Sequence, residues 1–162
     1  MSRVTAEQAI QIAFEHHRRG ELARAEAIYR QVLQQQPKNH DAMQLLGALA
    51  FQAGQFATAV ELIEQAIALA PGHAHYHANL GKALIRAGRP RDGEAALRRA
   101  MRIDPKHAEA HFELGQLFMN EGKWPESADC FRAALRLRGD DASALNNPVS
   151  YTHLTLPTIL LV

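Results

Sequence analysis

Thirty-four residues separate Pro37 from Pro71, and thirty-four more separate Pro71 from Pro105. The same step links Gly20, Gly54, Gly88 and Gly122, and again Gly47, Gly81 and Gly115. Ala66, Ala100 and Ala134 keep it, with Val32 in the first place, while Tyr29, Ile63, Leu97 and Phe131 form a column of larger apolar residues. Small residues fill one more, at Ala25, Ala59, Gly93 and Ser127. Agreement among these columns leaves few options. The chain is an array of like units, and each must bury its apolar face on a neighbour because one unit cannot hold a core alone.

The column chemistry says what a unit is. The stretch "LGALAFQAGQFATAVELIEQAIALAPG" reads as two helices joined at a glycine, which can stop a helix by taking positive φ where a Cβ is costly. Proline then ends the second helix, since it cannot continue the hydrogen-bond ladder. Pro90 and Pro125 fall in the first turn of second helices, where a missing N–H is harmless. Thr5 and Gln8 have capping-box spacing. Gly47, Gly81 and Gly115 allow close approach of the paired helix, beside Leu46, Leu80 and Leu114. The spacing predicts first helices over 6–18, 40–52, 74–86 and 108–120, and second helices over 21–35, 55–69, 89–103 and 123–137. Units of 6–39, 40–73, 74–107 and 108–141 follow, with a truncated fifth over 142–147.

Charge and cysteine content narrow the function. With 18 basic and 17 acidic residues the net charge is +1, which gives nucleic acid or an anionic membrane no footing. Arg98, Arg99 and Arg102, like Arg132, Arg136 and Arg138, have the spacing of a solvated outer face. Cys130 is the single cysteine, so no intrachain disulfide forms. The opening residues lack the apolar core of a signal peptide, and no run approaches the ~18 apolar residues that span a bilayer. A soluble, cytoplasmic protein is the expectation.

The pattern over residues 6 to 147 resembles the tetratricopeptide repeat family. Its third unit shows the motif as Leu80, Gly81, Gly88, Gly93, Leu97, Ala100 and Pro105. Two departures stand out: Ala9, Met43, His77 and His111 replace an early aromatic, and the fourth unit ends in Gly139 instead of proline. The resemblance implies an all-α, right-handed solenoid of stacked antiparallel helix pairs whose first helices line a concave face. It further implies that the face holds an extended or helical peptide. Carried onto this chain, the face presents Phe14, His17 and Arg18, then Gln44, Phe51 and Gln52. Asn79, Lys82, Ile85 and Arg86 follow, then Phe112, Glu113, Gln116, Met119 and Asn120. The carboxylate clamp of the chaperone-tail binders is not matched, since Ile10 with Phe14, or Gln44 with Ala48, stand in its places. Asn79 fits the asparagine ladder of glycosyltransferase-associated arrays, whereas Gln11, Leu45 and Glu113 do not.

No glycine-rich phosphate loop, nucleophile elbow or zinc-spaced cysteine pair occurs, and Cys130 has no predicted base beside it. His73 and His77 have the i, i+4 spacing of metal ligands, with His111 one period after His77 and Glu109 nearby. His73, however, precedes its helix, and His77 and His111 occupy a packing column, so packing is their expected role. No catalytic residue, metal or cofactor is expected. A non-catalytic scaffold for a protein or peptide partner is the leading expectation. The alternative is the recognition arm of a larger bacterial enzyme, a glycosyltransferase, sulfotransferase or methyltransferase.

The last fifteen residues, "PVSYTHLTLPTILLV", carry no charge and break the period, since Pro148 and Val149 stand where Leu-Gly is due. Val149 to Thr158 resembles the in-frame translation of a transposase sequencing adapter. Residues 148–162 are therefore expected to be non-native or disordered, on a parent chain that continues past Asn147.

Overall fold

The computed structural model describes residues 4–140, and the expected fifth unit and the tail lie outside them. Among the described residues there are eight helices and no strand. They are α1 (Ala6–Arg18), α2 (Leu22–Gln35), α3 (His40–Gln52), α4 (Phe56–Leu69), α5 (Ala74–Arg86), α6 (Pro90–Ile103), α7 (Ala108–Asn120) and α8 (Trp124–Asp140). The first helices coincide with the predicted spans, and the second helices begin one residue later than predicted.

Local chemistry accounts for these boundaries. Thr5 Oγ1 accepts from the Gln8 N–H at 3.2 Å while Gln8 Oε1 accepts from the Thr5 N–H at 2.9 Å, closing the capping box. At the other end of α1, Gly20 has φ +77°. Its N–H donates to the His17 carbonyl and that of Glu21 to the His16 carbonyl, the paired bonds of a Schellman turn. The same pair of bonds recurs at Gly54, Gly88 and Gly122, so one turn is built four times. Pro37, Pro71 and Pro105 each follow a second helix by two residues. The fourth unit has Gly139 at that point, and α8 runs to 17 residues against 14 for α6. The prediction that α8 stops at 137 is thus corrected: without the proline, nothing interrupts its ladder.

Each first helix packs on its second helix, and each second helix on the next first helix. In addition α1 meets α3, α3 meets α5, and α5 meets α7, whereas among the described residues no two of α2, α4, α6 and α8 meet. First helices that converge while second helices splay make a curved stack, with the first helices inside the curve. No helix of the described residues is long and apolar enough to cross a membrane.

The core runs through the stack as three clusters, one per junction. Leu97 is fully buried with Ala78, Leu114, Leu117 and Phe118. Ile63 lies with Val60, Ala83 and Leu84, and Tyr29 with Ala13, Leu46 and Leu49. The tightest crossing is that of α5 with α6. A Cβ on Gly93 would lie 2.8 Å from the Gly81 carbonyl oxygen, and one on Gly81 would lie 2.6 Å from Leu97 Cγ. Glycine is needed at both places because backbone meets backbone there.

Tyr29 is fully buried, and its hydroxyl has no hydrogen-bond partner among the described residues. Burial pushes that phenol up to about 12. A desolvated hydroxyl without a partner opposes folding, whereas the ring is all packing. Tyr29→Phe is therefore expected to raise the unfolding free energy by about 1 kcal/mol. A urea titration followed by circular dichroism checks the sign, and a loss of stability would mean the hydroxyl has a partner.

Candidate functional site

The inner face carries two adjoining clefts. The first, about 280 Å³, lies between α3 and α5 and is lined by Ala48, Phe51, Gln52, Ile63, Asn79 and Lys82. The second, about 260 Å³, shares Phe51 and Lys82 and continues over α5 to α7. Ile85, Arg86 and Leu117 form one part of its wall, and Glu113, Gln116 and Asn120 another. Nine of the residues expected on the concave face thus come together around these clefts. They project from three successive first helices because residues 79, 82, 85 and 86 share one helix face, and the 34-residue period repeats that face.

Phe51 is the apolar centre. Its ring meets Phe56 edge-on at 5.4 Å. The Arg86 guanidinium lies 4.8 Å from the Phe56 centroid and 5.8 Å from that of Phe51, and the Lys82 ammonium is also 5.8 Å from Phe51. Cations held over aromatic faces keep their charge while their stems cover apolar surface. The amides of Gln52, Asn79, Gln116 and Asn120 surround this centre, each able to donate and to accept.

Lys82 Nζ donates to Glu109 Oε1 at 2.6 Å, joining α5 to α7. Burial pushes the Glu109 carboxyl up, but the Lys82 ammonium outweighs it, helped by His107 and Arg138, and holds the group below the usual carboxylate range. Its ionised form therefore adds stability above the ordinary Glu value, and that contribution is lost as pH falls through the lowered one. Glu113 differs. Burial pushes its carboxyl up, Glu109 adds to the rise, and Lys82 and Arg86 offset only part of it.

Glu113 thus carries a stability cost that grows with pH. Below the ordinary Glu value of about 4.3 the group is neutral whether the chain is folded or not. As pH rises through the elevated folded value, ionisation has to occur in a desolvated place and stability falls. Glu113→Gln is expected to gain stability over the parent at about pH 7 and to lose that advantage at about pH 4. Glu109 titrates in both chains, so it enters the difference only through its coupling to Glu113. Urea midpoints at the two pH values measure it, and an advantage independent of pH would refute the assignment.

The remaining expected residues sit elsewhere. Gln44 is 5% exposed. Its register mates Ile10 and Ala78 belong to the core clusters, and the ring of Phe112 packs 5.5 Å from that of Phe131 on α8. Gln44 and Phe112 thus make packing contacts and line neither cleft. His17 donates from Nε2 to Gln52 Oε1 at 2.7 Å, tying α1 to α3. Phe14 and Met119 are exposed, and Arg18 reaches Glu15 of its own helix at 3.8 Å.

The histidines resolve into packing roles. His77 Nε2 donates to the Pro71 carbonyl at 2.9 Å, and His111 Nε2 to that of Pro105 at 3.1 Å, the same bond one period apart. His73 precedes α5, and its ring stacks 4.7 Å from Tyr76. Tyr76 is buried at this junction, donating to Asp41 and accepting from His40 Nδ1 at 2.8 Å. Cys130 is half-buried, and burial pushes its thiol up, opposite to what a nucleophile needs.

Sequence reasoning missed Glu109 as the partner of Lys82, naming it only beside the histidines. It also missed Ala48 and Leu117 as cleft walls. The signal for Glu109 was available, since opposite charges on the same face of consecutive first helices become neighbours once the units stack.

Two family profiles, both described as Tetratricopeptide repeat, match the chain, one over residues 78–146 and the other over 16–83 and 50–101. No curated protein sequence matches it. Among solved structures, MamA from Desulfovibrio magneticus superposes with a TM-score of 0.75 at 23% identity, covering 86% of this chain and 79% of that one. A thermophilic TPR protein of Thermus thermophilus gives 0.77 at 17% identity, covering 83% and 75%. These two establish fold alone. A mutant O-GlcNAc transferase of Thermobaculum terrenum is 33% identical with a TM-score of 0.70, covering 73% of this chain and 23% of the enzyme.

Proposed function

Because this chain belongs to the tetratricopeptide repeat family, whose stacked helix pairs serve in general as scaffolds for protein interaction, we propose that its concave face holds an extended segment of a partner protein. The observation that carries the reading is the pair of adjoining clefts, lined by three successive first helices. An extended peptide exposes a backbone donor and acceptor at every residue, and the amides of Gln52, Asn79, Gln116 and Asn120 can bond to both. Phe51 supplies an apolar seat for one side chain. Lys82 and Arg86, standing over the aromatic rings, select acidic groups beside that seat. The chain acts by holding its partner, without chemistry of its own.

Panning a displayed peptide library against the whole chain tests the reading. Selected peptides should be rich in one apolar residue flanked by Asp or Glu, and they should lose affinity for the Lys82→Glu/Arg86→Glu variant. Failure to select any peptide that senses these two positions would refute it.

A second reading has one observation in its favour, the 33% identity to part of an O-GlcNAc transferase. On this reading the same groove presents a substrate protein to a catalytic domain encoded downstream. A genomic read through codon 147 and beyond separates the two: a transferase domain in frame supports the arm, and a stop codon or further repeats alone support the free scaffold.

A further inference from the structure

Each internal unit hides its leading face on the unit before it. The column Ile12, Leu46, Leu80 and Leu114 marks that face, one residue per period. Leu46 is 4% exposed and Leu114 is 2%, and Leu80 is partly buried, whereas Ile12, with no unit ahead of it in the described residues, is 46% exposed. Beside it Val4 is 60% exposed. A cleft of about 260 Å³ opens between α1 and α2, floored by Ala9, Ile12, Ile28 and Val32, and a second depression at Val4, Gln8, Gln11 and Ile12 adjoins it.

The composition of this face suits a second copy of the chain. In a chain that is 22% charged, none of the described residues lining either depression is charged. Depletion of charge around an apolar centre marks the core of an interface, not of a solvated end. The polar rim consists largely of the amides Gln8, Gln11, Gln31 and Gln35. Two copies facing across a two-fold axis must pair each residue with its own kind or with a symmetry-related neighbour. Amides meet that demand, since one can donate while the other accepts, whereas like charges would repel.

We infer that the leading face of α1 and α2 is a self-association surface, on which a second copy of this chain docks by two-fold pairing and covers Ile12. The inference is independent of the groove, which lies on α3, α5 and α7.

Sedimentation equilibrium of the full chain tests it, between about 1 and 100 μM, the range of a modest dimer. The parent is expected to dimerise. Ile12→Glu and Ile12→Lys should each raise the dimer dissociation constant at least ~10-fold, with the helical circular dichroism unchanged because the position is already exposed. An equimolar mixture of the two variants should associate again, since opposite charges then meet across the axis. A parent that stays monomeric throughout overturns the inference, and so does a dimer indifferent to both substitutions. A mixture that stays monomeric overturns the two-fold pairing and favours an upstream helix or a foreign partner as occupant.

Discussion

Leu97→Ala is expected to lower the unfolding free energy by about 3–5 kcal/mol. Leu97 has no exposed surface and sits where α5, α6 and α7 meet. Its closest neighbour on α5 is Gly81, packed so tightly that a Cβ there would come within 2.6 Å of Leu97 Cγ. Truncation opens a cavity beside Gly81, in a cluster with Ala78, Ala100, Ala110, Leu114, Leu117 and Phe118, at a crossing where the α5 and α6 backbones already touch and cannot close further. The site relaxes poorly, which puts the cost in the upper part of the range for such changes. A repeat array holds each unit only through its neighbours, so the damage should spread unevenly. The helices α7 and α8 should detach first, giving a shallower or two-step urea transition in place of one. A loss below about 1 kcal/mol would show that another contact holds α7 to the stack.

Charge reversal in the groove is expected to weaken peptide binding by about 10- to 100-fold in the Lys82→Glu/Arg86→Glu variant, or ~1.4–2.7 kcal/mol. Arg86 loses its seat over Phe56, and position 82 turns from a cation paired with Glu109 into a carboxylate beside Glu109 and Glu113. Acidic peptide groups then meet repulsion where attraction stood. Arg86 is exposed and Lys82 partly so, and neither belongs to a core cluster, so the helical content should hold. Arg30→Glu/Arg132→Glu is the matching control: it changes net charge equally on α2 and α8, where Arg30 and Arg132 pair, among the described residues, with Glu26 and Asp129 of their own helices. Equal loss in both variants would assign the effect to overall charge and count against the groove.

The resemblance to the repeat family implied an inner-face position for Phe51, Asn79, Lys82, Arg86 and Glu113, and these residues line the two clefts. It also placed Gln44 and Phe112 there. On an isolated helix those residues lie on the same side, but Gln44 is buried and Phe112 packs on Phe131 of α8, contacts that the neighbouring helices set. The expected packing role of His77 and His111 held, with a bond to the preceding proline carbonyl that no one-dimensional pattern specifies.

By itself the sequence determined where the helices begin and end, that they come in pairs, and that the pairs stack with a period of 34 residues. Those decisions are short-range: a glycine at positive φ, a proline without an N–H and a capping hydroxyl act within a few residues of where they stand. The tertiary structure decided the remainder. It brought Lys82 to Glu109 across 27 positions, desolvated Glu113 and left Ile12 exposed where Leu46 and Leu114 are covered. The physical reason is that a side chain's partners and its water depend on what the neighbouring units place against it, and identical columns have different neighbours at an end of the described stack than within it.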